Sequence, residues 1–315
     1  MSRLTVDRVS KVYKVGAFGG KEMLAVRDVS FEVQPGEVTS LIGESGSGKS
    51  TIGKMVLRLT PVTRGTITVD GVDIATLRRG RLKAYYRTTQ GVFQDPFSSY
   101  NPIFKADRIF RLIRQAYFSG VGDAEWKAKL GASLEAVSLD PRQVLNKFPH
   151  QLSGGQLQRL LIARALLLDI EFLVADEVIS MLDASTRIDV LNLLGDLKAR
   201  GLGIVFITHD LSLGNYISEK TVILRRGAVV EMGATEKVFG NPQHPYTKML
   251  LASVPQLHAK WEELDPVLKA QVTELASSQA DTQRYADAGR LALPSDGDGN
   301  GLVEVEQDHL AAPVG

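Results

Sequence analysis

Gly43-Glu44-Ser45-Gly46-Ser47-Gly48-Lys49-Ser50 is the stretch on which the reading of this chain turns. An apolar run (Val38, Leu41, Ile42) precedes it, and a helix-spaced one (Ile52, Met55, Val56, Leu59) follows. Strand, Gly-rich loop and helix in that order form the context in which G-x-x-x-x-G-K-[ST] is a phosphate-binding loop rather than a Gly/Ser turn. Gly43, Gly46 and Gly48 permit backbone conformations and close approaches that a Cβ would obstruct. Amides can then converge on phosphate oxygens at a helix N-terminus, where the dipole favours negative charge. In that arrangement Lys49 reaches the β- and γ-phosphates of a nucleotide and the Ser50 hydroxyl holds Mg²⁺. Glu44, Ser45, Ser47 and Thr51 complete the expected cradle.

The 315 residues, 44% hydrophobic and 23% charged, suit a globular chain able to bury a core. There is no cysteine, which excludes disulfides and thiolate metal sites within it. The start, Met1 to Asp7, lacks the apolar core of a signal peptide, and no apolar run reaches the roughly 18–20 residues of a spanning helix. A membrane role therefore calls for a separate partner. The net charge of +1 hides an asymmetry: residues 256–315 hold four Lys/Arg against eleven Asp/Glu, so they carry −7 and residues 1–255 carry +8. No long basic run or aromatic-rich basic patch marks a nucleic-acid surface.

Alternation at Leu4, Val6 and Val9 predicts an opening strand, and Ala25–Val33 and Thr66–Val69 predict two more. These form an antiparallel layer beside the nucleotide-binding core. From about Ala106 to Leu168 the pattern is helical, broken at Pro141 and Pro149. Phe172–Ala175 and Ile204–Ile207 are continuous apolar runs of the kind buried in parallel sheets. Arg225-Arg226-Gly227 sits in a predicted hairpin between Thr221–Leu224 and Ala228–Glu231. A helix is expected over about 266–277. Pro294–Gly301 reads as flexible, and the calcium-loop-like Asp296, Asp298 and Asn300 lack both the entering helix and the closing Glu, which here is Gln307.

The strand Phe172–Ala175 delivers Asp176-Glu177 at its C-terminal end. Paired with the phosphate loop, Asp176 is a candidate Mg²⁺ ligand and Glu177 is placed to orient and activate water. Leu152-Ser153-Gly154-Gly155-Gln156-Leu157-Gln158-Arg159 supplies a second anion-binding helix start: Ser153 caps it, and the two glycines expose backbone amides.

Together these motifs closely resemble the ATP-binding cassette (ABC) ATPases. The resemblance covers about Leu4 to Pro255. It implies an α/β fold: a P-loop NTPase (RecA-like) core with an antiparallel β subdomain and a helical insertion over about 95–168. The cassette then spans 1–255 and an acidic, partly flexible extension spans 256–315. The resemblance further implies ATP and Mg²⁺ as cofactors and hydrolysis at Glu177. Gln94 matches a glutamine that contacts Mg²⁺ and the attacking water, and His209 a switch histidine at the γ-phosphate. Asp183 matches the acid of a loop near the nucleotide, and Tyr13 an aromatic stacked on adenine. Ser153, Gly154, Gly155 and Gln156 match the signature that closes on the nucleotide of a partner cassette. Val178 and Ile179 depart from the family, which usually has Pro and Thr there; neither change removes a ligand.

One phosphate loop and one signature per chain imply a head-to-tail pair with a second cassette, paralogous or identical. The segment Asn241–Pro255, which contains His244-Pro245-Tyr246, and the stretch Phe93–Pro102 resemble the ATP-binding subunits of oligopeptide/dipeptide importers. That implies two transmembrane permease subunits, an extracytoplasmic solute-binding protein and a peripheral position on the cytoplasmic face of the inner membrane. Phe97, Tyr100 and Phe104 read equally as a docking groove for the permease or as core. Oligosaccharide is the alternative solute, and a soluble non-transport ABC ATPase the alternative of another class.

Overall fold

The structure is a computed structural model that describes residues 2–15, 20–253, 285–287 and 301–313. Two compact units emerge, one made of Met1–Arg78 with Gly203–Gly315, the other of Arg79–Leu202.

The first unit opens with β1 (Leu4–Val15) and β2 (Lys21–Val33), an antiparallel pair. Its register shifts near Arg8 and Asp28, which both take positive φ. Bulges of this kind bend and twist a long ribbon, and here they let twelve- and thirteen-residue strands curl. β3 (Val38–Ile42) has all five residues buried and leads through the Gly-rich loop into α1 (Lys49–Val56). β4 (Arg64–Val69) and β5 (Val72–Asp73) are joined through Asp70-Gly71, both at positive φ, the geometry that suits the twist of a two-residue hairpin.

The second unit begins with α2 (Arg79–Thr88) and β6 (Thr89–Val92) and continues through α3 (Arg108–Tyr117), α4 (Asp123–Glu135), α5 (Pro141–Val144) and α6 (Gly154–Leu166). β7 (Phe172–Asp176) and α7 (Ala184–Ala199) complete it. β6 and β7 pair in parallel, Thr89 beside Phe172 through Val92 beside Ala175. The prolines act as the sequence predicts. Pro141 starts α5 behind Asp140, whose carboxylate accepts from the Arg142 amide, and Pro149 opens a 3-10 turn.

The chain returns to the first unit with β8 (Gly203–Thr208), α8 (Leu211–Ile217), β9 (Lys220–Arg225), β10 (Ala228–Ala234), α9 (Thr235–Gly240) and α10 (Pro245–Ala252). β11 (Tyr285–Asp287), β12 (Val303–Glu306) and β13 (His309–Ala311) follow. β3 lies between β8 and β9 and runs parallel to both, so the loop after it sits at the carboxyl ends of parallel strands. β10, β13 and β12 extend this sheet antiparallel from β9. The other sheet has the order β11-β2-β1-β4-β5.

The C-terminal hairpin is among the elements that the sequence reading does not contain. β13 joins β10 with Gly233 opposite His309 and Glu231 opposite Ala311. The predicted helix over 266–277 and the Asp296, Asp298 and Asn300 turn lie outside the described residues.

Candidate functional site

The first unit carries the phosphate loop, His209 and Tyr13. β3 is wholly apolar or hydroxylic and buried, so its end is a rigid launching point for the loop. Gly48, the N-cap of α1, has φ +103°, and a Cβ there would lie 2.7 Å from the Ala25 carbonyl oxygen. Only glycine meets both demands. Lys49 is buried, and its ammonium donates to the carbonyls of Gly43 at 2.6 Å and Glu44 at 2.8 Å. The loop is tied down from outside by two bonds, and one of its anchors, Gly227, is itself held by a third. The Gly227 amide donates to the Ser47 carbonyl at 3.0 Å, and the Arg27 amide donates to the Gly227 carbonyl at 2.7 Å. The Glu44 amide donates to the Tyr246 hydroxyl at 3.1 Å.

His209 stands exposed at the end of β8, the strand parallel to β3. Asp210, next to it, caps α8 by accepting from the Ser212 amide at 2.9 Å. Tyr13 lies on β1 opposite Met23, half-buried, with the Lys11 ammonium 4.9 Å from its ring centroid. The ring is thus already part of one cation–π contact.

The second unit carries Gln94, the Ser-Gly-Gly helix start, Asp176, Glu177 and Asp183. Ser153 caps α6 in a capping box: its hydroxyl accepts from the Gln156 amide at 3.2 Å, and the Gln156 side chain accepts from the Ser153 amide at 3.0 Å. Gly154 and Gly155 begin the helix, as the sequence predicts. Three bonds hold the Gln94 loop to α6. The Gln158 amide group donates to the Phe93 carbonyl at 3.4 Å, Arg164 to the Gly91 carbonyl at 2.7 Å, and the Tyr100 hydroxyl to the Leu157 carbonyl at 3.2 Å. Gln94 itself is exposed. Tyr100 is buried, which raises its phenol well above the ordinary range, whereas Phe97 and Phe104 are exposed. The three aromatics therefore divide between core and surface.

Asp176 is buried at the end of β7, and Glu177 follows with φ +49°. A non-glycine residue in the left-handed region is uncommon and marks a position held by its surroundings. Here the Ser180 amide and hydroxyl both donate to the Glu177 carbonyl, at 3.1 and 2.9 Å. Val178 and Ile179 are 2% exposed, so the two departures from the family pattern serve as core. Asp183 caps α7. Its carboxylate accepts from the Ser185 hydroxyl at 2.7 Å, the Thr186 hydroxyl at 2.9 Å and the Thr186 amide at 3.0 Å, and these bonds hold it well below the usual carboxylate range. Its carboxylate already has a structural occupation.

Glu231, His309 and Tyr246 escaped the reading of site residues. Glu231 is fully buried on β10, where its carboxylate accepts from the Gln243 amide at 2.8 Å and the His244 amide at 3.0 Å. His309, also fully buried, places Nε2 2.7 Å from Glu231 and Nδ1 3.1 Å from Glu306. The His-Pro-Tyr stretch stood out in the sequence, but nothing there tells what it touches.

Residues 26–180 match the model of a family described as ABC transporter, and residues 230–286 that of the oligopeptide/dipeptide transporter C-terminal region. Proteins of Brucella ovis and Brucella abortus assigned as peptide import ATP-binding proteins are 44% identical over 230 residues, 72% of this chain and 72% of theirs. The glutathione import ATP-binding protein GsiA of Salmonella typhimurium is 43% identical over 237 residues, 75% of this chain but 38% of its own. Among solved structures, a dimeric ATP-binding cassette in a post-hydrolysis state, bound to ADP and Pi, superposes with a TM-score of 0.65. It is 28% identical and is matched over 74% of this chain and 98% of that one. An ATP-binding subunit of an ABC transporter gives a TM-score of 0.63 at 27% identity, over 86% and 99%.

Proposed function

This chain belongs to the ABC transporter family of ATPases, and from that premise we propose that it powers uptake of oligopeptides or dipeptides. The observation that carries the solute class is the oligopeptide/dipeptide C-terminal match over residues 230–286, where His244-Pro245-Tyr246 folds against the phosphate loop. The peptide and glutathione import roles of the relatives support it.

In this proposal residues 1–255 form the cassette and 256–315 the extension. Gly43–Thr51 cradle the phosphates of ATP, Tyr13 stacks on adenine, and His209 contacts the γ-phosphate. Glu177 takes the proton of the attacking water, which Gln94 helps to orient. Ser50 and Asp176 offer hard oxygen donors of the kind Mg²⁺ takes, with Gln94 a further oxygen. With nucleotide bound, such an ion would supply neutralisation of phosphate charge. Ser153, Gly154, Gly155 and Gln156 present amides to the nucleotide of a second cassette, paralogous or identical, with Asp183 at the same junction. The dimer closes because ATP binds the closed state preferentially, and it loosens after hydrolysis.

No helix among the described residues is long and apolar enough to cross a membrane. We assign passage of the solute to two permease subunits, fed by an extracytoplasmic solute-binding protein, with this chain on the cytoplasmic face. The test is affinity purification of the chain from detergent-solubilised membranes, then reconstitution of the recovered complex in vesicles. ATP-dependent uptake of a labelled tripeptide, with no uptake of a trisaccharide, is the expected result. Trisaccharide uptake, or recovery without any multi-span subunit, would overturn the assignment.

A further inference from the structure

The peptide plane joining Gly43 to Glu44 has one polar group on each side. Its carbonyl accepts from the Lys49 ammonium at 2.6 Å, and its N–H donates to the Tyr246 hydroxyl at 3.1 Å. A trans peptide is rigid, so its C=O and N–H point in opposite directions and turn together. Holding the N–H outward, toward α10, holds the carbonyl inward, toward Lys49. We propose that Tyr246 is a positioning residue for Lys49, acting through this peptide, and that the C-terminal hairpin sets its register through Glu231. The proposal rests on Gly43–Ser50 being the nucleotide phosphate site.

Tyr246 is built to hold such a position. It is 2% exposed, and its ring sits in a core cluster with Ile42, Leu211, Ile223, Val230 and Leu250. Ile42 ends the strand that launches the loop. The Arg225 guanidinium lies 5.5 Å from the ring centroid. Ring and hydroxyl therefore bracket the loop, one on its supporting strand and the other on its first peptide.

The approach of Tyr246 is in turn dictated by Glu231. One buried carboxylate gathers the amides of Gln243 and His244 and so bends the chain into α10. His244 then caps that helix, its Nδ1 accepting from the Tyr246 amide at 3.0 Å. His309 closes the far side of Glu231 at 2.7 Å. The route from β13 to Lys49 is thus His309, Glu231, the 243–244 amides, Tyr246 and the Gly43–Glu44 peptide. Every link is a hydrogen bond, a close polar contact or a covalent bond, and all lie in the first unit. This assigns a task to the His-Pro-Tyr segment and to a hairpin that begins beyond residue 300.

The test is a double-mutant cycle on the full chain, read by fluorescence titration with an ATP analogue. Tyr246→Phe keeps the ring and removes the acceptor. It is expected to weaken ATP binding about fivefold, the usual net effect of one lost hydrogen bond. In a Lys49→Ala background the same change is expected to have no further effect, because the group being positioned is gone. His309→Ala reads the coupling from the far end, with a smaller loss that also vanishes without Lys49. Thermal unfolding without nucleotide separates packing from positioning, with Tyr246→Leu as the packing control. Wild-type affinity in Tyr246→Phe, or an equal loss with and without Lys49, overturns the proposal. A Lys49→Ala chain that binds ATP normally would instead remove the phosphate-site reading beneath it.

Discussion

Gly155→Ala tests how the Ser153 helix start is packed. A Cβ at Gly155 would lie 2.6 Å from the Thr186 Cγ2 methyl, with Thr186 Oγ1 at 3.6 Å. Relaxed carbon contacts are about 3.5–4.0 Å, so one side chain must move by roughly 1 Å. Thr186 resists, because its hydroxyl donates to Asp183 at 2.9 Å and its amide to the same carboxylate at 3.0 Å. Overpacking of this kind costs about 1–3 kcal/mol, against about 1 kcal/mol gained by replacing a helical glycine. The expected net loss is about 0–2 kcal/mol. Thr186→Ser removes the obstructing methyl and keeps the hydroxyl, so in that background Gly155→Ala is expected to be neutral or stabilising by up to about 1 kcal/mol. Urea unfolding followed by circular dichroism measures all four proteins, and ATPase turnover is expected to fall and recover in parallel. A Gly155→Ala loss of the same size in both backgrounds would refute the argument that the Thr186 methyl is the obstacle.

Three further outcomes are expected. Glu177→Gln keeps ATP affinity but lowers turnover by about 10²–10⁴-fold, the usual worth of a positioned base, and traps a closed pair visible by gel filtration; full turnover would remove Glu177 from that role. Lys49→Ala weakens ATP binding by at least tenfold in a titration, about the 1.5–3 kcal/mol of a charged hydrogen bond, while the fold measured by circular dichroism is unchanged. His244 is held down to about 4 by burial, with Arg225 adding to the effect and Glu231 opposing it. Its folded form therefore refuses a proton that the unfolded chain accepts near 6.5, so stability present above that pH is lost as pH falls toward 4, by at most about 3 kcal/mol. His244→Asn, which can still cap α10, is expected to flatten that part of the stability–pH curve, and an unchanged slope would contradict the assignment.

Much of the site is legible without coordinates because its chemistry is local. A phosphate loop needs glycines, a lysine and a hydroxyl at fixed offsets between a strand and a helix, and Gly43–Ser50 shows all of them. The Ser153 capping box is equally local, a serine and a glutamine three residues apart, and the structure forms it as expected. The C-terminal hairpin carries a local signal as well. Val303-Glu304-Val305-Glu306 alternates as a strand does, and Gln307-Asp308 makes the turn, with Asp308 at φ +58°.

What the sequence determined by itself is local: the Gly-rich loop between strand and helix, the acid that ends a buried strand, and the capped Ser-Gly-Gly helix start, on which the proposed phosphate and anion contacts rest. Each depends on neighbours within a few positions and on periodicities of 2 and 3.6 residues. What only the tertiary structure decided is which distant groups hold those residues still. Tyr246 meets Glu44 across 202 residues, and His309 meets Glu231 across 78. A buried carboxylate reads in sequence like any exposed glutamate. Its role appears only when folding removes water and leaves the amides of Gln243 and His244, with His309, to satisfy it.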